Sequence, residues 1–393
     1  MAEDILIGHL REPGTVLLDT ILPDNLGRTT FLFARPRDFI VARDVRSVPE
    51  ALARVDESVG SGKWVAGFIA YEAGYAFEPR FMDSGTSTPL IWLGIYDGPA
   101  EVTDEYVSQI LRQTDEGSFT VRNARLGISR RDYLMAVDQI RSHIREGDVY
   151  QTNFTVPLLV EFTGDPLALY ETLRRRQPVP YAAYIHADAQ TILSLSPELF
   201  FTRNGRKIVT RPMKGTARAG ADSNEFARLA EELRLDPKNR AENLMIVDLL
   251  RNDLSICCEP GSVVVSDLFG VQSYPTVIQM TSTVEGRLRA DATYVDIFRA
   301  LFPSGSVTGA PKIRAMELIR QIESAPRGVY CGAVGFVGPE DRAAFNVAIR
   351  TVTIDGATAV MGTGSGIVWD SVPENEYEEC LIKTRFLVDT NAS

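Results

Sequence analysis

The chain has 393 residues, 45% of them hydrophobic and 24% charged, enough to bury the core of one large or two modest soluble domains. Its net charge of -11 argues against nucleic acid, whose binding needs a basic surface to release counterions, and no segment approaches the roughly 18–20 apolar residues of a membrane span. Four cysteines without a Cys-x-x-Cys pair, with only three histidines, disfavour zinc, so any metal should be a hard, oxygen-bound ion such as Mg2+.

The amino-terminal run MAEDILIGHLREPG carries an acidic residue where a signal peptide would be positive, so a cytoplasmic location is expected. From Thr15 to about Gly98, TVLLDT, TTFLFA, DFIVA, KWVAGFIAY and PLIWLGIY are rich in β-branched and aromatic residues and predict strands. One helix among them should begin at Ser47, with Glu50 completing a capping box, and end at VGSGK. The polar stretch from Pro99 to Glu116 predicts a single linking helix. Another begins at Ser129, carries Tyr133, Val137, Ile140 and Ile144 on one stripe and closes at Gly147. DVYQTNFTVPLLVEF follows as an alternating strand with Gln151 and Asn153 on one face.

YAAYIHA, TILSLS, LFFTR and KIVTR predict an antiparallel meander, because their connections are too short for crossover helices. Two helices lie between Ser223 and Asn252, parted by Asp236-Pro237, and another runs from about Ala310 to Glu323. Strands at VYCGAVGFVG, AAFNVAIRTVTI and ATAVMGTGSGIV lead to a last helix, Pro373 to about Val388, with Ser371 to Glu374 as its capping box.

Several polar residues stand where apolar ones are expected. Lys214 occupies a Pro-X-Lys-Gly-Thr turn within VTRPMKGTARAG, sixteen positions after Glu198 in LSLSPELF. The helix around NRAENLMIVDLLRND is apolar over almost its whole circumference and should be buried, yet it carries Glu242. That carboxylate needs a partner, either a cation such as Arg240 or Arg251 or a metal. On the last helix Glu376, Glu379 and Lys383 share one face, which is either a solvated face or a second set of ligands. MGTGSGIVWD supplies glycines that let backbone amides approach an anion, and PSGSVTGAPKIRAME leads small residues into a helix amino terminus bearing Lys312. With Arg350 in NVAIRTV, these features imply a small substrate with more than one carboxylate.

The runs GDVYQTNF, SLSPELF, RPMKGTARAG, RAENLMIVDLLRNDLS, FPSGSVTGAPKIRAMELI, YCGAVGF and GSGIVWDSVPENEYEECLIKTR, in unbroken order from about residue 125 to 388, resemble the chorismate-utilising enzymes: anthranilate, aminodeoxychorismate, isochorismate and salicylate synthases. WVAGFIAYEAGYAFEP resembles them more weakly. The resemblance implies a two-lobed α/β fold of the α+β type, with large antiparallel sheets flanked by helices. It divides into an amino-terminal β-rich part, 1–120, and a chorismate-binding catalytic part, 121–393.

It further implies Mg2+ held by Glu242 and Glu379 with Glu376 close by. Substrate carboxylates would be held by Arg350, Tyr330 and the amides of Gly364, Ser365 and Gly366, with Thr308, Lys312 and Lys383 in the same pocket. Isochorismate and salicylate synthases carry a water-activating lysine where this chain has Gln151, and anthranilate synthases typically have alanine where it has Lys214. Lys214 therefore resembles the members that aminate C4, through a covalent Lys214 intermediate with Glu198 as general acid and base. Such an enzyme belongs to the transaminase class and makes 4-amino-4-deoxychorismate on the way to 4-aminobenzoate and folate. Its ammonia would come from a separate glutamine amidotransferase subunit. Gln279 replaces a family histidine, which disfavours pyruvate elimination. The alternatives are anthranilate formation and a non-catalytic regulator that binds chorismate or an amino acid.

Overall fold

The strand-forming runs assemble into two antiparallel sheets of ten strands each. The computed structural model describes residues 8–24, 26, 29–82, 89–112, 119–218, 222–274 and 277–388. Met1 to Ile7 of the amino terminus, Gln113 to Glu116 of the expected linking helix, and Ala219 and Gly220 lie outside the described residues.

In spatial order the first sheet contains Gly309–Ala310, Gln151–Gly164, Thr358–Ile367, Thr351–Asp355, Gln190–Ser196, Tyr181–Ala187, Thr15–Asp19, Thr30–Phe33 and Ala100–Val102, with Phe119–Leu126 also paired to Gln151–Gly164. The second contains Met213–Arg218, Val277–Arg287, Lys207–Arg211, Leu199–Asn204, Arg342–Val347, Ala333–Gly338, Trp64–Ile69, Ile91–Tyr96 and Asp38–Ala42, with Val264–Ser273 also on Val277–Arg287. Thr15–Asp19 pairs with Tyr181–Ala187, and Trp64–Ile69 pairs with Ala333–Gly338. The amino-terminal strands are thus laddered into both sheets.

Strand alternation explains the layering. Ala183, Ile185, Val334 and Phe336 enter a core shared by the two sheets. Ala182 and Tyr184 turn outward to the helices Asp104–Leu111 and Pro166–Arg176. Ala333 and Val337 turn to Val48–Gly60, Pro237–Cys257, Tyr294–Leu301 and Lys312–Ile322. With both faces covered, central strands read as continuous apolar runs. Gln151–Gly164 is accordingly buried on both faces over its first six residues and alternates only toward its end.

Four local expectations change. Asp44, whose carboxylate accepts from the Ser47 N–H at 3.0 Å, caps a 3-10 turn at Val45–Ser47 that leads into the first helix, so the cap lies one turn earlier than the Ser47 box. The linking helix is shorter, Asp104–Leu111, and follows a strand. Helix Pro237–Cys257 buries one face, through Ile246, Val247, Leu250 and Leu254, while Leu244 is exposed. The Ser371 hydroxyl accepts from the Val368 N–H at 3.1 Å, outside the last helix.

The expected meander is the fifth change, and it matters most. Gln190–Ser196 and Leu199–Asn204 do not pair: the chain passes from the first sheet to the second through Pro197 and Glu198. AAFNVAIRTVTI likewise divides into Arg342–Val347 and Thr351–Asp355, crossing back through Ala348 to Arg350. The crossings are stapled together: the Ser196 hydroxyl donates to the Val347 carbonyl at 2.6 Å, Val347 N–H to Glu198 O at 3.0 Å, and Leu195 N–H to Arg350 O at 3.0 Å.

Candidate active site

Lys214 lies on Met213–Arg218, whose register against Val277–Arg287 shifts: Met213 faces Thr281 but Thr216 faces Gln279. The extra residue is a bulge at Lys214–Gly215, a device that re-aims a side chain. Gly215 has φ +83°, and a Cβ there would sit 2.9 Å from Asn239 Oδ1, so the position requires glycine. The residue as a whole is half-buried, but its ammonium is enclosed, 3.5 Å from the Ser306 carbonyl. Burial pulls the amine below the usual lysine range, against the opposing fields of Glu198, Glu242 and Glu379 and with that of Lys383.

Glu198, on the first crossing, is 5% exposed. Burial pushes its carboxyl up to about 7, while the Ser306 hydroxyl, the Lys214 charge and the Met213 N–H act in the opposite direction. A buried acid near neutrality beside a depressed amine is a proton-transfer pair.

Glu242 is half-buried on Pro237–Cys257. Neither expected cation pairs with it: Arg251 bonds Asp248 at 2.9 Å, and Arg240 lies over the Phe269 ring, 4.5 Å from its centroid. From the facing helix Pro373–Val388, Glu376 accepts from the Ser365 hydroxyl. Glu379 pairs with Lys383 at 2.6 Å, and Lys383 also donates to the Gly364 carbonyl at 2.8 Å.

The amides of Gly364 and Gly366 are open for a structural reason. Thr358–Ile367 outruns one neighbour, Thr351–Asp355, whose ladder ends at Val352 and Met361. On the other neighbour, Asn153 N–H points away to the Thr308 carbonyl, so Phe154 and its partner Ser365 exchange the ladder bonds. Gly364 and Gly366 therefore turn N–H and C=O to the unpaired edge, where Lys383 meets the Gly364 carbonyl. Among the described residues neither N–H has an acceptor. Close neighbours exclude side chains at two glycine positions of this strand: a Cβ on Gly366 would lie 2.3 Å from Gln151 Nε2, and one on Gly362 would lie 1.9 Å from the Tyr330 ring. Gln151 is 1% exposed and its Oε1 has no partner.

Other predicted residues are distributed differently. Arg350, at φ +50° on the second crossing, has no carboxylate partner among the described residues. With Tyr274, Gln279 and Pro197 it lines a small cavity of about 20 Å³. The Thr308 hydroxyl donates to Ser304 O at 3.0 Å, and the Thr308 N–H is used within its own turn. Lys312 does not join the cluster around Lys214. Its ammonium bonds buried Asp253 at 2.6 Å and Leu301 O at 2.9 Å, closing the loop that holds Ser304 to Thr308. A cavity of about 660 Å³ between the sheets, lined by Tyr181, Arg203, Arg211 and Phe336, contains none of the predicted site residues.

Sequence reasoning passed over Ser306, whose hydroxyl meets Glu198 and whose carbonyl meets Lys214. It also passed over Arg327, which donates to Val307 O and Asn153 O at 2.7 Å each and to Glu323, clamping the Ser304 loop to the glycine-rich strand pair. A serine among small residues and an arginine after Ala-Pro carry no signal of these contacts.

The donor set suits a hard cation. Glu242 and Glu379, one from each of two helices, both act on the Lys214 ammonium, and Glu376 lies one turn before Glu379; all three offer oxygen ligands. Glu379 is held by Lys383, and the three are not drawn together as tightly as His143, Glu146 and Asp148, a group of possible ligands elsewhere on the molecule with ligand atoms within 4.8 Å.

Two large antiparallel sheets are joined by crossings, one of which carries an acid beside a lysine, with two acid-bearing helices next to them. The chain belongs to the chorismate-utilising family: residues 28–389 match the chorismate binding enzymes. It is 37% identical over 336 residues, 81% of its length, to aminodeoxychorismate synthase component 1 of Klebsiella aerogenes, spanning 74% of that protein. It is 38% identical to the Bacillus subtilis protein of the same name over 70% of its own length. It is 40% identical to anthranilate synthase component 1 of Methanothermobacter thermautotrophicus, again over 70%. The chain spans 58% and 59% of these last two, less than two-thirds of either. Among solved structures, anthranilate synthase component I from Streptococcus pneumoniae superposes with a TM-score of 0.77 at 26% identity, covering 94% of both chains. The isochorismate synthase MenF of Escherichia coli shares the fold at 0.75 and 18% identity, covering 99% of this chain and 91% of its own.

Proposed function

We propose that the chain catalyses the Mg2+-dependent replacement of the C4 hydroxyl of chorismate by ammonia. The product is 4-amino-4-deoxychorismate, with the enolpyruvyl group retained, and it leads to 4-aminobenzoate and folate in the cytoplasm. The chain acts as component I, receiving ammonia from a glutamine amidotransferase subunit. The observation that carries this reading is Lys214, turned by the Gly215 bulge into an enclosed space beside Glu198, with its basicity lowered by burial.

Glu242, Glu376 and Glu379 would hold the Mg2+, which supplies Lewis acidity toward the substrate carboxylate and the departing hydroxyl. Gly364 and Gly366 N–H and the Arg350 guanidinium bind substrate carboxylates. The neutral Lys214 amine attacks C2, the ring double bond shifts, and the C4 hydroxyl leaves as water with the proton of Glu198. Ammonia then attacks C4, the double bond shifts back, Lys214 leaves C2 as a neutral amine, and Glu198 takes one proton from the new C4 ammonium. The sum is chorismate plus ammonia to aminodeoxychorismate plus water, with both residues restored.

Anthranilate formation is the competing reading, because relatives of that name match at similar identity. Lys214 and Gln279 speak against it. The test is incubation with chorismate, Mg2+ and ammonium, with product mass and pyruvate measured together. An aminated product without pyruvate supports the proposal. Anthranilate with pyruvate overturns it, and binding without turnover favours a regulator.

A further inference from the structure

Resting on the reading that Glu198 both gives and takes a proton, we propose that Ser304 and Ser306 form a reversible two-hydroxyl relay that positions Glu198 in each of its protonation states. The two hydroxyls lie 3.0 Å apart and each residue is 6% exposed. Ser306 bonds the Glu198 carboxylate through its side chain and receives Lys214 Nζ on its carbonyl at 3.5 Å, so one residue touches both members of the proton-transfer pair.

A serine hydroxyl has a single proton, which fixes the logic. When Glu198 is ionised it only accepts, so Ser306 donates to it and Ser304 must donate to Ser306. When Glu198 is protonated it donates to Ser306, and Ser306 turns its own proton to Ser304. In both arrangements the Ser306 hydroxyl donates once and accepts once, which it could not do in this buried site without Ser304 beside it. The titratable groups facing Glu198 are Lys214 and the phenol of Tyr274, and Lys214 in turn faces Glu242 from one helix and Glu379 and Lys383 from the other. The loop is held in place from outside the relay by Lys312 on Leu301 O and by Arg327 on Val307 O.

The test is a carboxyl-carbon NMR titration of protein labelled at the glutamate side-chain carboxyl, with the Glu198 resonance assigned by its loss in Glu198→Gln. It needs no substrate, so it stands or fails apart from the reaction assigned above. Wild type should titrate at about 7. Ser306→Ala removes a hydrogen bond to the ionised form and should raise the midpoint by about one unit or more. Ser304→Ala leaves the Ser306 proton without an acceptor when Glu198 is protonated, and should lower the midpoint by roughly half a unit. Ser304→Thr keeps the hydroxyl and should titrate as wild type. An unmoved midpoint in Ser306→Ala, or one that stays or rises in Ser304→Ala, overturns the relay.

Discussion

The Lys214 ammonium lies 3.5 Å from the carbonyl oxygen of Ser306, the residue whose hydroxyl meets Glu198. One serine on a loop from the first sheet's edge thus touches a lysine from the far edge of the second sheet and an acid from the crossing between them. The contact forms because a loop some 92 residues further along the chain from Lys214 closes on the lysine and the acid.

If Lys214 is the nucleophile, Lys214→Ala should retain chorismate binding within a few-fold while amination slows by about 10³-fold or more. Isothermal titration and product analysis measure the two separately. Wild type quenched during turnover should carry a substrate adduct on the peptide containing Lys214. Undiminished turnover in the variant would remove the nucleophile role.

Gly215→Ala forces a side chain into φ +83° and against Asn239. Unfolding free energy should fall by about 1–2 kcal/mol. Turnover should fall by roughly 10²-fold because Lys214 loses its aim. Equal wild-type and variant kcat would show that the bulge does not position the lysine.

Glu198 is raised by burial from the ordinary glutamate value to about 7, so the folded state binds a proton more tightly than the unfolded chain. Stability from this group is complete below the unfolded value and is lost as pH rises through about 7. Glu198→Gln should therefore unfold at higher urea concentration than wild type at pH 8, by roughly 1–3 kcal/mol, with the difference shrinking toward pH 5. Its turnover should fall by about 10²–10⁴-fold. A variant less stable than wild type at pH 8 would contradict the burial argument.

Lys312→Met leaves Asp253, which burial already pushes up, without its cation. A loss of about 3–5 kcal/mol is expected at pH 8, less at pH 5 where Asp253 takes up a proton. Adding Asp253→Leu should recover most of it. Urea unfolding of the single and double variants separates this loop-closing role from a substrate contact, since the latter would leave stability unchanged.

Chelation should abolish amination, and Mg2+ should restore it. Glu242→Gln and Glu379→Gln should each raise the Mg2+ concentration for half-maximal turnover by about tenfold or more. Direct Mn2+ binding followed by electron paramagnetic resonance gives the same ranking without turnover.

Most strands and helices were legible because periodicity and turn residues are local properties. So was the oddity of particular side chains: Lys214 before a glycine, Glu242 among Leu, Met and Ile, and glycines leading into the last helix. The crossings were not legible. Pro197 and Glu198 read as a turn between paired strands, and only the ladders show that the strands on either side belong to different sheets.

Sequence by itself determined the layers and the family, because alternation over many strands and an ordered set of motifs are written along the chain. Tertiary structure alone decided which charges meet. Lys312 and Lys214 are both lysines beside small residues, yet one closes on buried Asp253 and the other, turned by a one-residue bulge, faces Glu198, Glu242 and Glu379. The reason is that an ammonium's role depends on what lies within a few ångströms, and here those partners come from segments tens to more than a hundred residues away.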